Sequence, residues 1–165
     1  MARSIIVGDV HGCSAELAAL LDRVGLGQDD QVVFVGDVVA RGPDSPGVLA
    51  LLREVSGRSV VGNHEAKLLR ARAAVRSGTP PPHLGRSHRQ VMAQLQPRDW
   101  ALLESFPYTL ELGEHDVCVV HAGVVPGVAL AEQDPRLLVT MRSIDASGAP
   151  SDRLDGTPWG ALYRG

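Results

Sequence analysis

Four short segments of this chain carry side chains that could do chemistry. They are Gly8-Asp9-Val10-His11-Gly12, Gly36-Asp37-Val38-Val39-Ala40-Arg41-Gly42, Gly62-Asn63-His64-Glu65 and Val120-His121-Ala122-Gly123. Each sets an oxygen or imidazole donor just past an apolar run. That donor set suits a pair of divalent cations, which needs hard oxygen and nitrogen ligands and one carboxylate shared between ions about 3.5–4 Å apart. Asp9 and His11 stand two residues apart on one sharp turn, where Gly8 and Gly12 let the backbone bend at no steric cost. Asp37 follows its own apolar run and could bridge. Asn63 offers a neutral carbonyl oxygen and His121 a further imidazole. One Gly-Asp turn means little by itself, because such carboxylates commonly bond their own backbone. Four donor segments in order, each at the end of a run, form a pattern.

The elements that must hold these donors can be read from the intervening sequence. Ser4–Val7, Gln31–Val35 and Ser59–Val61 are short apolar, β-branched runs and read as buried strands. Ser14 caps a helix whose apolar face is Leu17, Leu20, Leu21 and Val24, and which Gly25 and Gly27 end. Ser45-Pro46 reads as N-cap and first residue of a second helix, and residues 65–76 as a basic amphipathic third. Strand, helix, strand, helix, strand implies a parallel sheet, with the donor segments at its carboxyl edge, where open α/β sheets bind ligands. The loop 77–85 contains Pro80-Pro81-Pro82. Helices are expected at 88–95 and 97–104. A hairpin of strands 108–112 and 116–120 follows, and then a loop-rich tail with short elements.

The quoted motifs resemble those of the calcineurin-like metallophosphoesterases, within their phosphoprotein-phosphatase branch. They are most similar to the bacterial diadenosine tetraphosphate hydrolases and their phosphatase-like relatives. The segment His121–Gln133 and Met141-Arg142-Ser143 share the likeness, which covers nearly the whole chain. The resemblance implies an α/β fold, a two-sheet β-sandwich flanked by helices in four α-β-β-α layers. It implies two metal ions, with Asp9 and His11 on the first, Asp37 bridging, and Asn63 and His121 on the second. His64 would protonate or orient the leaving oxygen, Arg41 would clamp the phosphoryl group, and Arg142 would be a second clamp, or else merely the partner of Asp145 or a similar acid. Manganese is the expected ion; iron, zinc, cobalt and nickel suit the same donors.

Two departures from the family pattern matter. Ala40 stands where the protein phosphatases carry an Asp that supports the catalytic His, as it does in the diadenosine tetraphosphate hydrolases. This points to a dinucleoside polyphosphate substrate, cut symmetrically to nucleoside diphosphates, rather than to a phosphoprotein. The family also places a further metal-ligating His downstream, and no His follows His121. The expectation is a single metallophosphoesterase domain over 1–165 that lacks its final segment and holds its second ion weakly. A serine/threonine or tyrosine phosphoprotein phosphatase, a polyphosphatase served by Lys67, Arg70, Arg72 and Arg76, and a non-catalytic phosphate-binding module are the rival readings.

Composition bounds the rest. At 165 residues the chain can bury a core. A net charge of −3 and 4% aromatic residues argue against nucleic acid as a partner. Two cysteines, Cys13 and Cys118, make no disulfide scaffold and read as small buried hydrophobes. His83, His88 and His115 belong to no motif and read as solvated. With no apolar stretch long enough to span a bilayer and no leader-like N-terminus, a cytoplasmic protein is expected.

Overall fold

The computed structural model describes residues 3–164. They fall into two compact units, one ending at Pro107 and the other beginning at Tyr108.

In the first unit, β1 (Ser4–Val7), β2 (Gln31–Phe34) and β3 (Arg58–Ser59) pair in parallel with β2 central. Ser4 is opposite Gln31 and Val33 is opposite Arg58. The β3 ladder is shorter than its apolar run, because beyond Ser59 the chain bonds individually: Val60 N–H donates to Phe34 and Val61 N–H to Pro107. Parallel pairing requires crossovers, supplied by α1 (Ser14–Val24) and α2 (Ser45–Glu54). After β3 come α3 (Asn63–Ser77), α4 (Arg86–Gln94) and α5 (Pro97–Glu104). Helix α1 packs on α2, and both α2 and α3 pack on α4 and α5. Val33, Phe34, Val38, Val39, Leu49, Val60, Leu68 and Leu103 are wholly buried, so the apolar runs leading to the donor segments form the core.

The helix ends explain two departures from expectation. The N-cap of α2 is Asp44, whose Oδ1 accepts from Gly47 N–H at 2.9 Å. Ser45, expected as that cap, instead accepts from Ala40 N–H at 3.0 Å and steadies the preceding loop. Ser14, expected to cap α1, is already helical and donates its hydroxyl to Asp44 Oδ2 at 2.6 Å, while Cys13 holds the cap position. Gly25 ends α1 in the left-handed conformation, as expected.

In the second unit, β4 (Leu110–Leu112) and β5 (Val117–Val119) form the expected antiparallel hairpin through a 3-10 turn at Gly113–His115. Helix α6 (Pro135–Thr140) follows. Next come the two-residue strands β6 (Ser143–Ile144), β7 (Pro150–Ser151) and β8 (Thr157–Pro158), with β6 central, and then the short α7 (Trp159–Leu162). The Trp159 indole donates to Ala122 O at 3.0 Å and lies so close to Gly123 that a Cβ there would meet Nε1 at 2.3 Å. Neither cysteine is a core residue: Cys13 is half-buried and Cys118 exposed. Cys118 pairs across the hairpin with Glu111 and so shares its solvent face. Among the described residues, no helix is long and apolar enough to cross a membrane.

Candidate metal centre

The site is built where the three parallel strands end. The loop after β1 and the loop after β2 are zipped together by backbone bonds: Val10 and His11 N–H donate to Asp37 O, Gly12 N–H to Val38 O, and Gly42 N–H to His11 O. This geometry forces unusual backbone. His11 and Asp37 both have φ of 50°, Ala40 68° and Arg41 66°. Left-handed conformation costs an L-residue roughly 1–2 kcal/mol, so four strained residues in two adjacent loops persist only because the surrounding bonds over-determine them.

The clasp between the second and third loops is Glu65, wholly buried at the third position of α3. Its Oε2 accepts from Asp37 N–H at 2.8 Å and from Gly62 N–H at 2.9 Å, and its Oε1 accepts from Val39 N–H at 3.1 Å. Burial, with Asp37 nearby, pushes this carboxyl up to about 7, and the three donors oppose that rise. Gly62 permits the close approach, since a Cβ there would lie 2.2 Å from Asp37 N and 2.3 Å from its Oδ1. The backbone N–H of His64 donates to Asp37 Oδ1 at 2.9 Å, so Asp37 caps α3 from outside and its other oxygen is turned to the imidazoles.

These constraints gather three of the expected donors, Asp9, His11 and Asp37, together with His64. Asp37 Oδ2 stands 3.8 Å from His11 Nε2 and 3.9 Å from His64 Nε2, and Asp9 Oδ2 is 3.5 Å from His11 Nε2. One ligand atom from each of His11, Asp37 and His64 lies within 4.8 Å of the others, a spacing that could hold a metal ion. His11 Nε2 is buried yet has no hydrogen-bond partner among the described residues. A buried polar atom is costly unless satisfied, so an imidazole left open between two carboxylates fits a cation. Asn63 begins α3 beside His64. Arg41 is exposed and forms no ion pair among the described residues, leaving its guanidinium free for an anion. Burial, opposed by Asp37 and reinforced by His88, His11 and Arg41, pushes the His64 imidazole down to about 4. His64 is therefore neutral at pH 7 and offers a neutral N–H.

His121 and Arg142 are carried by the second unit. His121 is half-buried, two residues past β5, and Arg142 is exposed, with its backbone N–H donating to Ser151 O. Arg142 does not pair with Asp145, whose Oδ1 is taken by the Ser147 hydroxyl and the Ser147 and Ala149 N–H groups. The loop after His121 is fixed by buried Gln133, which bonds the backbone of Val125 and Val128.

His88 is the residue that sequence reasoning missed. It was expected in solvent but is buried, and its ring stacks on His64 with centroids 4.8 Å apart and planes 7° apart. His83 and His115 are exposed as expected. Helix α3 also differs from a free basic face. Arg72 and Arg76 both pair with Glu104, and Arg72 lies 4.6 Å over the Trp100 ring.

Over residues 2–154 the sequence matches the calcineurin-like phosphoesterase family. The chain belongs to that family. A symmetrical bis(5'-nucleosyl)-tetraphosphatase of Shewanella sediminis (strain HAW-EB3) is 36% identical over 147 residues, 84% of this chain and 52% of the relative. The counterpart from Shewanella sp. (strain MR-7) is 40% identical over 124 residues, 73% of this chain and 44% of the relative. The chain thus spans about half the length of these relatives. A solved structure named "Crystal structure of a putative diadenosine tetraphosphatase" superposes with a TM-score of 0.85 at 35% identity, covering 98% of this chain and 70% of that one. A metallophosphoesterase from Sphaerobacter thermophilus gives 0.56 at 26% identity, covering 73% and 46%. The α/β fold of this calcineurin-like phosphoesterase is therefore the metallophosphoesterase fold.

Proposed function

We propose that this chain is a metal-dependent hydrolase of phosphoanhydride or phosphoester bonds, acting on a dinucleoside tetraphosphate cut symmetrically to nucleoside diphosphates. The observation that carries the reading is the convergence of Asp9, His11, Asp37 and His64 at three strand ends, with His11 Nε2 buried and open. The names of the relatives support the substrate class. A cytoplasmic location belongs to the same reading.

In this reading Asp9, His11, Asp37, Asn63 and His121 hold two divalent ions, with manganese the ion of choice. Such ions neutralise phosphoryl charge and supply an acidified water. Arg41 binds the phosphoryl oxygens, where fixed positive charge acts on the developing transition state. His64, neutral at pH 7 and held over the site by α3, donates its N–H to the leaving oxygen as charge builds there. Asp37 fixes α3 through the His64 backbone and so places metal ligand and donor in one frame. Nothing favours the polyphosphatase reading, since two of the four basic side chains of α3 are engaged by Glu104.

The test is hydrolysis of diadenosine tetraphosphate with manganese, products resolved by chromatography, beside Asp37→Ala. ADP as sole product, lost in the variant, supports the reading. Turnover of a phosphopeptide but not of the dinucleotide moves the substrate to phosphoproteins. Wild type no faster than Asp37→Ala on any substrate leaves a phosphate-binding module.

A further inference from the structure

His64 must present one edge of its ring to do any work at the centre, so the plane in which that ring is held matters. Two other rings pack against it. His88, in the first turn of α4, lies parallel to one face at 4.8 Å and 7°. His11 meets the ring edge-on, with centroids 4.9 Å apart and planes at 70°. His88 is 8% exposed, and its Nε2 is buried without a hydrogen-bond partner among the described residues. A polar ring held there without a bond of its own offers its flat face. Stacked aromatic rings contribute about 0.5–1.5 kcal/mol beyond the area they bury, enough to select one ring plane.

We infer that His88 is a positioning residue: by stacking on His64 it fixes the plane in which that ring meets the leaving oxygen. The inference rests on the hydrolase reading above. It assigns His88 no proton and no ligand role, since the face of the ring does the work. Helix α4 thereby couples to the chemistry, although it carries none of the motif residues.

The experiment compares 4-nitrophenyl phosphate with phenyl phosphate, which are alike in shape but differ in how much their leaving oxygen needs help. We expect His88→Ala to lower kcat on phenyl phosphate about 10-fold or more and on 4-nitrophenyl phosphate about 3-fold or less, a fraction of the about 100-fold or greater effect of a positioned proton donor. KM stays unchanged on both. His88→Phe, which keeps a flat ring and loses both nitrogens, returns phenyl phosphate turnover to within about 3-fold of wild type, because stacking needs only the face. In a His64→Ala background, His88→Ala adds no further discrimination. Equal losses on both substrates, or His88→Phe as defective as His88→Ala, would overturn the inference. Imidazole nitrogen–proton correlation spectra of His64 decide it independently of turnover. One narrow set in wild type and His88→Phe that broadens or splits in His88→Ala supports it, and unchanged His64 signals in His88→Ala refute it. A wild type that turns over neither aryl phosphate nor diadenosine tetraphosphate fails the hydrolase reading, and the spectra still rule on the stack.

Discussion

Replacing Glu65 by Gln tests whether one carboxylate clasps the site. Glu65 accepts three N–H bonds: two on Oε2, from Asp37 and Gly62, and one on Oε1, from Val39. An amide has one acceptor oxygen. Its better orientation keeps the two bonds at the Oε2 position and turns an NH2 group against Val39 N–H, at the present separation of 3.1 Å. One buried donor is then unsatisfied and a second faces it. An unsatisfied buried group costs about 1–3 kcal/mol, and for a chain of this size that lowers Tm by roughly 2–12 °C. The assay is thermal and urea denaturation followed by circular dichroism, with Glu65→Ala, which strands all three donors, as the more damaging control. The pH dependence has a definite sign. Glu65 has its folded value pushed up to about 7 against an ordinary 4.5, so folding takes up protons between those values. Wild type therefore gains stability as pH falls from 7 toward 4.5. A protonated carboxyl can still accept on both oxygens and an amide cannot, so the gap between wild type and Glu65→Gln widens over that window. A Glu65→Gln protein within about 0.5 kcal/mol of wild type at pH 7 would refute the clasp, since surface-like substitutions fall in that range.

Gly62→Ala is expected to prevent folding or cost more than about 3 kcal/mol, because its Cβ would meet the Asp37 backbone at 2.2 Å; yield of soluble protein and urea midpoint report it. Arg72→Ala should cost about 1 kcal/mol, the sum of a half-exposed ion pair with Glu104 and the contact over Trp100, and should leave turnover unchanged. Asp30 bonds the Arg3 side chain and the Gly27 N–H, which hold its carboxyl well below the usual range. Its contribution is thus complete above about pH 4 and lost as pH falls through the lower folded value, so the Tm difference between wild type and Asp30→Asn should shrink on acidification.

Some of this was readable in the residues and some was not. Helix α5 was expected at Pro97–Glu104 and is found there, because Pro97 sets its start and Asp99 bonds back to Gln96 N–H. Strand β1 likewise matches its apolar run. At α2 two good capping residues stand side by side, and only the folded loop shows that Asp44 caps while Ser45 serves Ala40. Asp9, His11, Asp37 and His64 were legible because strand-end motifs fix donors locally. The work of Glu65 was not, since its partners lie 26 and 28 residues away as well as three. Nor was the stacking of His88 on His64, since His88 is a lone imidazole on a polar helix and its burial depends on how α3 and α4 pack.

The centre draws on three strand ends, with Asp9, Asp37 and His64 separated by more than a full β-α crossover each. No stretch of sequence-local chain holds even two of these three. The slow event in folding, closure of the long loops that bring parallel strands together, must come before the Asp9–His11 pair meets Asp37 and His64. The unfolded ensemble is consequently a poor competitor for cations. An ion that binds the native centre returns nearly its whole binding free energy to the folded state by mass action, growing with the logarithm of its concentration. Ion supply would thus act on this protein as a stabiliser of its fold as well as a participant in its chemistry.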